Sequence, residues 1–143
     1  MFSQNEWEFT IAGFKPQQEL IDKVNQFKNI TIIDSPSDLE LNTLIKTSQI
    51  NILFTFQNTG IKHKLLNALS NGGHCLVNNL MVGGTGLEKH CEIANDKITI
   101  EKKIKDLLQE PYSETVFLKK NQDLQDHFNM KKNARIIATE LTE

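Results

Sequence analysis

The sequence predicts an α/β fold, a doubly wound parallel sheet in a single domain spanning residues 1–143. Three observations carry this. Short apolar or alternating runs recur along the chain at residues 7–12, 30–33, 50–56, 74–77 and 91–94. Segments with helical periodicity lie between most of them. The run at 50–56 is nearly continuous in Ile, Leu and Phe, as a strand covered on both faces requires.

In order, residues 1–6 are polar, and Trp7-Glu-Phe-Thr-Ile-Ala12 alternates before Gly13, a strand ending in a turn. Pro16 suits the first turn of a helix reaching Phe27, with Leu20, Ile21, Val24 and Phe27 inward. Residues 30–33 form a second, β-branched strand. Ser37-Asp-Leu-Glu40 is a capping-box pattern and starts a helix running to Thr47.

After the strand at 50–56 come Gln57, Asn58 and Thr59, then Gly60. Ile61, Leu65, Ala68 and Leu69 form a helical stripe, closed by Gly72 as a left-handed cap. A strand at 74–77 stops at Asn78-Asn79. The flexible loop Gly83-Gly84-Thr85-Gly86 leads into a helical turn at 87–90 and a last short strand at 91–94. A helix covers 99–109, Pro111 breaks it, Ser113 caps another, and residues 131–141 form a final one.

The 143 residues suffice for a substantial core, and a net charge of −2 gives no general attraction to nucleic acid. No apolar run approaches the roughly 20 residues of a membrane helix, and no basic-then-apolar leader opens the chain. Cys75 and Cys91 are too few for a disulfide framework and read as buried free thiols. A cytoplasmic protein is expected.

Lys62 and Lys64 lie in the first turn of the helix after the third strand, where the helix dipole is already positive. Such a start attracts an anion, and a phosphate fits best. Two solvated lysines are the competing reading. In parallel sheets ligands bind beyond the carboxyl ends of the strands, which puts this helix start and the loop at 83–86 on one rim. The His74-Cys75 and His90-Cys91 pairs lack usual zinc spacing, so no metal site is assigned. Asp34 stands at a strand end like a phospho-acceptor, but the acidic pair after the first strand and the lysine after the last that a receiver domain needs are not evident. His127 and the Lys119-Lys120 and Lys131-Lys132 pairs read as solvated faces. No catalytic residue is assigned.

Taken in order, Trp7-Glu-Phe-Thr-Ile-Ala-Gly13, Ile33-Asp-Ser-Pro-Ser-Asp-Leu-Glu40, Thr59-Gly-Ile-Lys-His-Lys-Leu-Leu-Asn67 and Val82-Gly-Gly-Thr-Gly-Leu-Glu88 resemble the C-terminal, donor-binding half of bacterial GT-B glycosyltransferases of the retaining, nucleotide-sugar-dependent type. The resemblance covers residues 7–110 and implies a Rossmann-like fold. It implies that Gly60, Lys62 and Lys64 face a diphosphate, that Thr59 belongs to the same donor site, and that Gly84, Thr85 and Gly86 lie near the sugar or diphosphate. Asn67 would meet the ribose. The paired glutamates that many members carry correspond here to Thr59 and Asn67, and an amide would hold a ribose hydroxyl more weakly than a carboxylate.

The donor would be UDP- or GDP-linked, with no further cofactor, and the acceptor a glycan or a lipid-linked one. Such an enzyme would work in the cytoplasm, at the inner face of the membrane. The family's first donor-domain strand and its N-terminal acceptor domain have no counterpart in these residues. The resemblance therefore implies an inactive half that pairs its strands directly, self-associates or docks on an N-terminal partner. A non-catalytic binding or assembly module and a nucleotide-sugar epimerase-like isomerase are the alternatives.

Overall fold

The computed structural model describes residues 7–57 and 62–128, the side chain of His127 excepted. The helix expected at 131–141 lies outside them. The chain is α/β with parallel strands, but the strands form two sheets where one was expected. Two compact units divide it, residues 1–45 and 46–143.

The first unit holds β1 (Phe9–Gly13), α1 (Gln18–Val24), β2 (Ile30–Asp34) and most of α2 (Asp38–Thr47). β1 and β2 run parallel, in register from Phe9 opposite Ile30 to Gly13 opposite Asp34. Beyond them the chain turns sharply: Lys15 and Ser35 have φ of 47° and 50°. The Asp34 carboxylate accepts from the Lys15 N–H at 3.0 Å and the Ser35 hydroxyl at 2.7 Å. That turn holds Pro16 outside the helix, so α1 begins two residues later than Pro16 suggests. It also ends early, closing through the Phe27 N–H on the Val24 carbonyl at 2.9 Å. α2 has the expected capping box and end. The Glu40 carboxylate accepts from the Ser37 N–H at 2.8 Å, and the Ser37 hydroxyl accepts from the Glu40 N–H at 3.3 Å.

The second unit contains β3 (Ile50–Leu53), α3 (His63–Asn71), β4 (His74–Val77), α4 (Asn79–Val82), a 3-10 turn (Glu88–His90), β5 (Glu92–Ile93), α5 (Lys97–Gln109) and α6 (Glu114–His127). Its strands are parallel in the order β3-β4-β5, with Ile50 opposite His74 and Leu76 opposite Glu92. Cys75, Leu76 and Val77 are consecutive and all buried. Side chains alternate along a strand, so β4 is covered on both faces. α3 packs on β3, β4 and α6, and α5 packs on β3 and β4. Leu65, Ala68 and Leu69 of α3 bury the predicted stripe against this layer, joined by Ile104 and Leu107 of α5. Each large apolar side chain so buried stabilises the unit by about 1.5–3 kcal/mol.

Two local expectations are corrected. β3 stops at Leu53, three residues short of Phe56, and Phe56 is exposed. The reason lies in Asn78, whose side chain takes over from the ladder. Its amide donates to the Thr55 carbonyl at 2.7 Å and accepts from the Thr55 N–H at 3.3 Å. Gly72 ends α3 but is extended, φ −107° and ψ −178°, not left-handed. Glycine is needed at its neighbour, where a Cβ on Gly73 would stand 2.6 Å from the Gln49 carbonyl oxygen.

Candidate functional site

The carboxyl ends of β3, β4 and β5 are tied together by asparagines. Asn78 binds Thr55 as described, and the Asn95 side chain accepts from the Asn79 N–H at 2.9 Å. α3 starts above this edge, with Lys62 at its N-cap and Lys64 in its first turn. The Lys62 carbonyl accepts the first helical bonds, from Leu65 and Leu66 at 2.9 and 3.1 Å. Both ammonium groups fold back over the chain leaving β3. Lys62 Nζ donates to the Gln57 carbonyl at 3.4 Å and Lys64 Nζ to the Phe54 carbonyl at 3.5 Å.

The α3 start differs from those of the other long helices. Ser37 caps α2, Asp96 accepts from the Ile98 and Thr99 N–H groups at the head of α5, and Ser113 accepts from the Val116 N–H at the head of α6. Among the described residues no side chain caps α3, and its first turn holds no acidic residue. Among the described residues its N-cap and first turn add two lysines to the positive end of the helix dipole and no acidic side chain.

Of the predicted contacts, Lys62 and Lys64 each reach a carbonyl of the chain leaving β3, while Thr59 and Gly60 lie outside the described residues. Asn67 is half-buried in mid-helix, its amide oxygen accepting from Asn71 Nδ2 at 2.8 Å. The loop at 83–86 is a hydrogen-bonded turn. Gly84 and Gly86 have φ of 72° and 70°, a conformation glycine adopts without strain. Thr85 pins that turn, its hydroxyl donating to the Val82 carbonyl at 2.6 Å and accepting from the Leu87 N–H at 3.2 Å.

A second cluster forms at the opposite, amino-terminal edge of this sheet, where a cavity of about 410 Å³ is lined by Cys75, Cys91, Tyr112 and Lys120. Lys120, read from sequence as solvated, is only 7 % exposed. It sits on the face of α6 that meets α3, while Lys119 on the next face is exposed. Its ammonium donates to the Gly72 and Gly73 carbonyls at 3.2 and 3.4 Å and lies 4.8 Å from the Tyr112 ring centroid. Burial pushes the Cys75 thiol up to about 11, and burial reinforced by Cys75 pushes Cys91 up to about 12. Both are free, Cys75 buried and Cys91 half-buried, and both stay protonated near neutrality, which makes them poor nucleophiles. Burial also raises the Tyr112 hydroxyl to about 12 and lowers Lys120 from its usual value. No group of three or more metal-donor side chains gathers among the described residues.

The chain matches no protein-family model, no curated protein and no solved structure. No helix among the described residues is long and apolar enough to cross a membrane.

Proposed function

We propose that the three-stranded unit binds a nucleotide-diphosphate sugar, with the diphosphate at the start of α3, as the donor half of a glycosyltransferase. One observation carries the reading. α3 is the long helix whose start has no side-chain cap among the described residues, and it is the one that places two lysines there. An anion of two or more charges suits that start, because it meets helix dipole and ammonium groups together. The position fits as well, beyond the carboxyl end of a parallel strand.

In this reading Lys62 and Lys64 hold the phosphates. The turn at Gly84, Thr85 and Gly86 offers backbone to the sugar, since the Thr85 hydroxyl already serves Val82 and Leu87. Asn67 meets the ribose after exchanging its bond with Asn71. Transfer requires an acceptor-binding partner, so the chain by itself binds donor without turning it over.

A second reading, a non-catalytic binding module, is favoured by the engagement of Asn67 with Asn71. Calorimetric titration with UDP, GDP and their sugar conjugates tests the first. Saturable binding is expected, tightened by Asn67→Glu, which restores a charged acceptor. Absence of binding to every nucleotide would sink it.

A further inference from the structure

The cavity at the amino-terminal edge of the three-stranded sheet is independent of the α3 rim and of any role given to it. Two of its lining groups have unmet chemistry. Lys120 is buried, and its partners are two backbone carbonyls and the faces of Tyr112 and Phe117. Among the described residues no carboxylate pairs with it: of the two that line the cavity, Glu92 pairs with Lys103 and Glu110 forms no ion pair with Lys120, while the other cavity lysine, Lys89, pairs with Asp123 at 2.9 Å. The second group is the Tyr112 hydroxyl, which is buried and has no hydrogen-bond partner among the described residues. Cys75 and Cys91 are neutral and supply no negative charge.

A buried cation answered only by dipoles, beside a buried donor with no acceptor, is costly unless something completes it. We infer that this cavity binds a small oxyanion, the carboxylate or phosphate group of a metabolite, between the Lys120 ammonium and the Tyr112 hydroxyl. An oxyanion supplies what both lack, a counter-charge and acceptor lone pairs, and charge-assisted bonds of this kind are the stronger class. A neutral ligand would satisfy the phenol and leave the ammonium uncompensated.

Tyr112 is the one tyrosine of the chain, so ring-¹³C tyrosine labelling gives a single reporter at the site. The full chain is titrated with inorganic phosphate and, separately, with acetate, each against chloride at matched ionic strength. A saturable displacement of the Tyr112 signals by either oxyanion and none by chloride is expected, and the arm that responds names the source. Thermal shift then compares variants. Tyr112→Phe keeps the ring over Lys120 and should weaken the effective oxyanion about tenfold, the scale of one lost charge-assisted hydrogen bond. Lys120→Met should abolish binding, and Tyr112→Phe stands as the decisive variant if that protein does not fold. Signals that ignore both oxyanions, signals that move equally with chloride, or a Tyr112→Phe variant binding as tightly as the parent would each overturn the inference.

Discussion

Lys120 donates to the Gly72 carbonyl oxygen from 3.2 Å, so a side chain of α6 closes the end of α3. A cation at a helix C-terminus meets the negative end of the dipole and an otherwise orphaned carbonyl. Replacing the ammonium by an apolar tip should show what the contact contributes. Lys120→Met keeps the aliphatic stem against Tyr112 and Phe117 but leaves the Gly72 and Gly73 carbonyls without this donor. A loss of about 1–3 kcal/mol is expected, read as a lower urea midpoint at unchanged m-value. An unchanged midpoint would mean that those carbonyls find other partners.

Gly73 and Gly84 should respond to alanine for different reasons. A Cβ on Gly73 meets the Gln49 carbonyl at 2.6 Å and that of Ser48 at 3.1 Å, both backbone atoms that cannot swing away. Gly73→Ala should therefore cost about 1–3 kcal/mol by overpacking where β3 and β4 begin. At Gly84 nothing lies within 4 Å, but φ is +72°. Gly84→Ala should cost about 1–2 kcal/mol from backbone strain alone. Thermal unfolding of the two variants checks the pair, and a Gly73→Ala protein as stable as the parent would show that the Gln49 segment yields.

What could be read from sequence was what local chemistry determines. The capping box at Ser37 and the Ser113 cap depend on neighbours within a turn, the strand at His74–Val77 shows as an apolar run between turn residues, and all three form as expected. Asp96 was missed as the cap of α5 although its signal is equally local, an acceptor just before an apolar period. The rest was not local. Nothing in Lys119-Lys120 says which lysine faces α3, because that depends on a helix 48 residues earlier in the chain. The same holds for Asn78, whose bond to Thr55 across 23 residues ends β3 early, and for the grouping of strands into two sheets. The lysines of the α3 start were legible; their folding back onto Gln57 and Phe54 was not.

Lys62→Ala isolates the proposed donor site. Its ammonium lies over the chain leaving β3, and its loss should weaken nucleotide-diphosphate binding by about 1–3 kcal/mol, the scale of a charge-assisted hydrogen bond. Lys62→Arg should recover part of that. Calorimetry decides: equal affinity in the alanine variant and the parent would place the diphosphate elsewhere.

Alkaline stability should be set by the cluster under α6. Cys75 and Cys91 ordinarily ionise near 9.0, but burial holds them to about 11 and 12, and Tyr112 goes from 10.0 to about 12. In the window from pH 9 to 12 the unfolded chain therefore binds fewer protons than the folded one at these three groups. Stability then falls as pH rises. Their contribution is present in full below pH 9 and is lost on passing through the folded values. Lys120 acts with the opposite sign: burial lowers its folded value, so its own term improves as pH climbs toward 10.5, where the unfolded amine titrates. Three groups oppose one, and two of them begin to act at pH 9, so the net expectation is a falling urea midpoint above pH 9. Cys75→Ala should flatten that fall by removing one proton from the balance, at the expense of a lower midpoint at pH 7 from the small cavity it leaves. If the parent and Cys75→Ala midpoints fall in parallel above pH 9, the Cys75 thiol does not titrate with unfolding.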